Sequence, residues 1–454
     1  MTDLVISGGT VVTPRGSLTA DVAVTDGRVE RVGPGLEASG AERVDASGLL
    51  VLPGVIDVHT HLRLPDAEHP HRFRQDTLAA ARGGTTTVLT FNNPGTGISE
   101  DGASSLLSGL HEYRARTAGQ SVLDHGLCAV LSGQQEDPVG ELPALIAAGV
   151  PTFKAFMVYD FRLADDVLEA AMRSAARHGG MLQVHCEEPA IIDPLVAEAL
   201  REGRTGCRHH ALTRPAQAEG AATRKAIEMA RRAEAPLYIV HLSCAEALDA
   251  VAEAKARGEP VYAETCPHYL AFTDALYADP DEAEVIKRVI SPPLRTQTDV
   301  DALWAGLRDG ILDVVGSDHV PDRLDTEKRV PAPPFPDISN GGPGIETLLS
   351  VVYSEGVAKG RIGVERMVEV LSANPSRLFG LPTKGALEPG RDADLVLFDP
   401  AARRTLRQEE LHHTSDYTPY EGMEVSGSVT DVRLRGAMVG AAPGRFMARG
   451  ILGP

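Results

Sequence analysis

The chain has 454 residues, 43% of them hydrophobic and 24% charged, with no low-complexity tract, which is enough to build one large core and a smaller one. Sixty-three Asp and Glu against 44 Lys and Arg give a formal charge of −19, and no basic block offsets it, so neither nucleic acid nor an anionic membrane is expected as a partner. No uncharged apolar run reaches a membrane span, and the start "MTDLVISGGT" lacks the pattern of a signal peptide. Five scattered cysteines (Cys128, Cys186, Cys207, Cys244, Cys266) without a CxxC point to free thiols and a cytoplasmic location.

Residues 1–52 read as short strands with turns: "DLVISGGTVVT", "ADVAVTDGRVERVG" and "ERVDASGLLVLPG", with an Asp-Gly hairpin signal in "VTDGRV". From residue 53, apolar strand-like runs alternate with helical patterns. The strands are "GVIDVH", "TTTVLTF", "HGLCAVL", "TFKAFMV", "MLQVHC", "LYIVHLS", "VYAETC" and "LDVVGSD". Helical periodicity marks "ADDVLEAAMRSAARHG" and "AEGAATRKAIEMARRA". Strand-rich sequence returns in "GRDADLVLFDP" and "GSVTDVRLRGAMVG". The α/β alternation predicts a (β/α)8 TIM barrel over 53–382, and the two β-rich ends predict a small β-sandwich formed from 1–52 plus 383–454. A doubly wound open sheet is the weaker alternative, because no glycine-rich phosphate fingerprint follows the first strand.

Polar residues fall at strand ends. His59 and His61 close the first strand, His185 ends the fifth, His241 the sixth and Asp318 the eighth, while Lys154 lies inside the fourth. In a barrel these ends converge on the active-site face. A single buried histidine is usually bonded to a backbone carbonyl; this many at one end of successive strands form a nitrogen and oxygen ligand set suited to zinc or a similar divalent ion. Five such ligands exceed the need of one open tetrahedral ion, so two divalent ions are expected, and they need a bridge. Lys154, flanked by Phe153, Ala155, Phe156 and Met157, supplies one: a desolvated lysine is driven towards its neutral amine, which can add CO2 to become a carbamate with two ligand oxygens.

On these residues the chain resembles the cyclic amidohydrolases of the amidohydrolase superfamily. "PGVIDVHTHL", "FKAFMVY", "VHCEE", "VHLSC", "ETCPHYL", "SPPLR" and "GSDHVP" occur in that family's order across nearly the whole chain. "RHHALTRPAQAEGAATRKAI", "NGGPGIE", "YSEGVAKGRI" and "LFGLPTKGALEPGRDADLVLFDP" look most like hydantoinases, also called dihydropyrimidinases. The resemblance implies a barrel with a terminal β-sandwich, a homodimer or homotetramer, and hydrolysis of a small cyclic amide. It implies that His59, His61 and Asp318 bind the more buried ion and His185 and His241 the other, with carboxylated Lys154 and a hydroxide between them. Asp318 would carry the proton from the attacking hydroxide to the leaving ring nitrogen, and Tyr159 would stabilise the oxyanion. Ser291 and Asn340 match the positions that hold the amide and imide edge of the ring.

The substrate loops match less cleanly. "HLRLPD" puts Arg63 where hydantoinases usually have no arginine, whereas dihydroorotases carry one that works with an asparagine after strand two to hold a substrate carboxylate; Asn93 in "TFNNPG" stands at about that place. Against this, Asp322 in "DHVPD" would repel an acidic substrate. Arg63 therefore either reads a carboxylate or pairs with a protein acid such as Asp66 or Asp76. Dihydroorotase or allantoinase activity is the alternative within enzymes. A non-catalytic hydantoinase-like interaction protein is the alternative of another class, disfavoured because every ligand is present. Cys186 and Cys266 read as small buried thiols. His268 and His319 read as groups that orient ligands or base, and His69, His71, His209, His210, His412 and His413 as solvated loop residues, the first two edging the pocket.

Overall fold

The computed structural model describes residues 2–37, 39–91, 105–329, 332–450 and 452. The strand-like runs of the middle segment pair in sequence order as parallel strands: β1 Val55–Thr60, β2 Thr85–Thr90, β3 Asp124–Leu127 continuing through Ala129–Val130, β4 Thr152–Phe156, β5 Met181–His185, β6 Leu237–Ile239, β7 Val261–Thr265 and β8 Val314–Val315. The ring closes where Thr60 bridges His319 in parallel and the His61 N–H donates to the His319 carbonyl at 2.8 Å. This is the (β/α)8 barrel that the alternation predicts.

The helices between strands follow their sequence pattern. Asp165–Arg177 carries acids in its first turn and Arg177 in its last, as the helix dipole favours, and buries Leu168, Ala171, Met172 and Ala175 at helical spacing. Ala216–Ala233 buries its alanine-rich face in the same way. Inside the ring, Ile56, Val58, Leu89, Val130, Tyr238 and Val314 belong to one apolar cluster drawn from strands all round it.

The chain ends share an eight-stranded sheet. Leu4–Thr13, Gly16–Thr25, Arg28–Gly33, Glu42–Asp45 and Leu50–Pro53 come from the start, and Leu395–Thr405, Glu424–Leu434 and Ala437–Met438 from the end. The seam is the antiparallel pair Leu50–Pro53 with Leu395–Thr405, in which Pro53 faces Leu395 and Val51 faces Leu397. Leu4, Ile6, Val22, Val51, Leu395 and Leu397 belong to a core separate from that of the barrel. Two stretches of the C-terminal portion leave this sheet and dock on the barrel. Thr414 donates to the buried Asp76 carboxylate through N–H (2.7 Å) and hydroxyl (2.9 Å), and residues 444–449 run beside β3, with the His125 N–H donating to the Arg445 carbonyl at 2.9 Å. Among the described residues no helix is long and apolar enough to cross a membrane.

Candidate active site

The C-terminal ends of the strands bring the predicted ligands together. His59 and His61 lie on and just after β1, and their Nε2 atoms stand 3.0 and 3.4 Å from Asp318 Oδ1, three residues past β8. The donor atoms of His59, His61 and Asp318 all lie within 4.8 Å of one another. The His185 and His241 rings meet edge to face with centroids 4.5 Å apart, and His241 is 5.3 Å from His59. Lys154 is buried between aromatic faces, its Nζ 4.8 Å from the Phe91 centroid and 5.2 Å from that of Phe156. Burial pulls its pKa down to about 8, opposed mainly by the Asp318 and Glu264 charges, so the neutral amine is far more accessible than for an exposed lysine.

Local strain accompanies the convergence. Tyr159 (φ 77°), His241 (φ 37°) and Asp318 (φ 50°) all have left-handed backbone, a conformation costly for tyrosine and histidine that persists only where the surroundings impose it. Gly316 shows one such surrounding. A Cβ there would sit 3.0 Å from both the Glu264 carboxyl and the His59 Cβ, so glycine lets the chain just after β8 pass this close to His59 without crowding.

Two buried acids, Glu264 and Glu187, aim these imidazoles. Glu264, at the end of β7, hydrogen-bonds His59 Nδ1 and accepts from the His241 N–H at 3.2 Å and the Tyr238 hydroxyl at 2.9 Å. It fixes the His59 tautomer and leaves Nε2 directed at Asp318. Burial works against charge on His59, but Glu264 and Asp318 outweigh it and shift its pKa upward. Glu187 holds His185 Nε2 at 2.7 Å and accepts from Arg214 at 2.6 Å; burial would raise this acid, yet Arg214 and His185 keep it at about 2. "VHCEE" and "ETC" already contained both acids, one or two residues from a ligand or strand end, but nothing in the spacing says which way a carboxylate points.

The donor set fits divalent cations. His241 Nδ1 is a buried nitrogen without a hydrogen-bond partner, an arrangement that is costly unless another group takes up its lone pair, and His59 Nε2 faces only the Asp318 carboxylate. Imidazole nitrogens braced from behind by carboxylates, beside a carboxylate oxygen, are what such an ion requires. His268, Cys266 and Asp318 form a second group whose donor atoms lie within 4.8 Å, and His268 Nε2 is also buried and unpaired.

Beside these residues stand the predicted substrate groups. Asn340 Nδ2 donates to the Tyr159 hydroxyl at 3.2 Å, and the Ser291 side chain also hydrogen-bonds that hydroxyl. The Ser291 N–H donates to the Asn340 carbonyl at 3.2 Å, and the Ser291 hydroxyl meets His210 Nε2 at 3.0 Å. His210 corrects an expectation. It is buried, not solvated, because Thr205–Leu212 folds under the Ser291 segment. His413 is also buried, facing the His319 ring at a centroid distance of 6.0 Å. His69 and His71 are exposed as expected. His319 turns from the ligands: its Nδ1 accepts from the Gly344 N–H at 3.2 Å and its Nε2 lies 4.0 Å from Asp76.

Arg63 has protein partners, though not those named from sequence. Its guanidinium donates to Asp322 Oδ1 at 2.9 Å and to Glu327. Asp66 pairs instead with Arg72 at 2.8 Å, and Asp76 with Thr414. The acid that seemed to argue against an acidic substrate is thus the one that neutralises the arginine. Asn93 lies outside the described residues. All five cysteines are buried free thiols, and burial pushes Cys186 and Cys266 upward, away from nucleophilic thiolate.

Residues 50–439 match the model of the amidohydrolase family. A D-hydantoinase of Geobacillus stearothermophilus is 39% identical over 440 residues, covering 96% of this chain and 92% of that protein. A D-hydantoinase of Streptomyces coelicolor is 40% identical over 445 residues, covering 96% and 94%. Among solved structures, the dihydropyrimidinase of Brevibacillus agri NCHU1002 superposes with a TM-score of 0.93 at 39% identity over the full length of both chains.

Proposed function

The chain belongs to the amidohydrolase family, in its hydantoinase and dihydropyrimidinase branch, and from that membership we propose that it opens a small five- or six-membered cyclic amide, with His59, His61, Lys154, His185, His241 and Asp318 holding two divalent ions. Enzymes of this family generally bind divalent metals; two ions, zinc as their identity and a carboxylated Lys154 are our finer assignment. What supports it is the grouping of His59, His61 and Asp318, with His241 beside His59 and His185 beside His241, and the buried His241 Nδ1 left without a partner. Such ions supply acidity to a water molecule and polarise an amide carbonyl.

The chain's own residues do the rest. Neutral Lys154 adds CO2 at Nζ and releases a proton, which converts an isolated buried amine into an anionic ligand. Asp318, ionised and beside the His59 and His61 nitrogens, accepts a proton from the attacking water and returns it to the leaving ring nitrogen. Tyr159 donates its hydroxyl proton to the developing oxyanion while Asn340 holds that hydroxyl in place. Ser291 and Asn340 present backbone groups to the amide edge of the ring. Residues 53–382 form the catalytic domain, and 1–52 with 383–454 the sandwich domain that the shared seam of strands supports.

A homodimer or homotetramer is the assembly we assign. Helix Pro189–Arg201 is largely apolar yet buries only Ile192 and Ala199, with Leu200 41% and nearby Leu212 66% exposed. A cytoplasmic location accords with the free thiols.

Metal analysis tests the ligand set. Reconstituted protein is expected to hold close to two divalent ions per chain and to lose activity on chelation; no bound metal after loading with zinc, cobalt or manganese would refute it. Substrate class is tested by assaying dihydrouracil, hydantoins, dihydroorotate and allantoin side by side. Neutral rings are expected to be opened faster than dihydroorotate, because Arg63 is already engaged by two acids.

Arg63→Ala separates the two roles open to that residue. Its loss leaves Asp322, which is buried, without its cation. Removing one partner of a fully buried pair costs about 3–5 kcal/mol, and since the guanidinium is partly exposed a smaller loss of about 2 kcal/mol is expected in denaturant unfolding. Catalytic efficiency is expected to fall alike for neutral and acidic rings. A selective loss on dihydroorotate of roughly ten- to a hundredfold would instead mean that Arg63 reads a substrate carboxylate.

A further inference from the structure

Lys328 is a lysine buried without any role in the chemistry above. It is fully enclosed, and its Nζ donates to the Val289 and Ser339 carbonyls, each at 2.6 Å. Burying an ammonium whose hydrogen-bond partners are two neutral carbonyls is expensive, and burial draws its pKa down to about 8 although the nearby Asp322 charge opposes the shift. Those carbonyls come from two separate loops, and each stands next to a proposed substrate residue. Val289 is two residues before Ser291, and Ser339 immediately precedes Asn340. Among the described residues the loops share one backbone hydrogen bond, from the Ser291 N–H to the Asn340 carbonyl at 3.2 Å.

We propose that Lys328 is a positioning residue that clamps these two loops together and so sets the spacing of the Ser291 and Asn340 backbone groups against the ring. This rests on the function proposed above. The segment carrying Lys328 is anchored in turn. Asp322 accepts from the Ser339 hydroxyl at 2.6 Å and from Arg63, and Arg63 also holds Glu327, so residues 322–328 tie the strand of His61 to the loop of Asn340. His210 fastens the other loop from beneath through Ile290 and Ser291. The consequence is specific: the clamp sets how tightly a ring is held, whereas the proton transfers remain with Asp318.

Lys328→Met keeps the stem and volume but removes both donors. KM for dihydrouracil is expected to rise at least about tenfold, while kcat per metal-loaded site stays within about threefold, the signature of lost ring binding and not of a lost chemical group. A crystal structure of the variant is expected to show Val289 and Ser339 moved apart and the Ser291–Asn340 hydrogen bond broken. General destabilisation alone would reduce the active fraction without altering KM. Unchanged KM together with superposable loops would overturn the proposal. If the wild type opens no cyclic amide, the functional reading fails, and the crystal structures still decide whether Lys328 spaces the loops. Should Lys328→Met not fold, Lys328→Gln, which keeps a donor for one carbonyl, is read by the same two measurements.

Discussion

Lys154→Ala is expected to lose more than about a hundredfold in turnover. Replacing a group that only orients a metal ligand costs about 10–100-fold, and Lys154 is assigned as the bridging ligand itself. The side chain has no alternative use where it stands. Phe91 and Phe156 enclose its amine, and burial pulls its pKa down to about 8, which moves it towards the neutral form that reacts with CO2. Short carboxylic acids added from solution are expected to restore part of the activity by supplying the missing oxygens. Lys154→Arg makes the point more sharply. The guanidinium remains protonated and cannot form a carbamate, so that variant is expected to fold and be inactive. Labelled bicarbonate gives a readout independent of turnover: a carbamate carbon signal is expected in wild type and absent from both variants. An active arginine variant would remove carboxylation from the mechanism.

Periodicity and turn chemistry made the architecture legible. Each of the eight strand-like runs became a barrel strand, since continuous apolar runs between helical patterns have few other ways to be covered on both faces. The convergence of His59, His61, His185, His241 and Asp318 was legible because histidines and an acid recur at strand ends, and a barrel brings such ends together. What stayed hidden was direction. Glu264 and Glu187 sit in quoted motifs, but their work depends on which neighbour the carboxylate faces across strands. Arg63 showed the same gap: its partners Asp322 and Glu327 lie about 260 residues away in sequence, beyond any local pattern. His210 and His413 were misjudged because polar loop-like sequence does not reveal that a loop packs beneath another. The C-terminal stretches that dock on the barrel escaped notice for a similar reason, since their contacts with Asp76 and β3 are backbone and single-residue bonds without a sequence period.

Asp318→Asn is expected to lower turnover by at least about a hundredfold while leaving fold and metal content close to wild type, the lower bound being that of a lost general acid–base group. Asparagine is the right substitution on two counts. It keeps the side-chain shape and an oxygen for the ion, and it is among the few residues that adopt left-handed backbone readily, so the φ of 50° is retained without the strain an alanine would introduce. What it loses is basicity. Burial works to raise the Asp318 carboxyl, but the His59, His61 and His241 side chains overcome that and hold it well below the usual carboxylate range, so the native group is ionised. An amide is not. The measurement is kcat alongside metal content on the same preparation, since a fall in both would report ligand loss and a fall in kcat alone the lost shuttle. Near-normal turnover with metal retained would place proton transfer on another group. His319 adjoins Asp318 in sequence, yet its ring nitrogens are turned to Gly344 and Asp76. His268 would then be the first to test: its Nε2 is buried and unpaired, and it offers a nitrogen within 4.8 Å of Asp318.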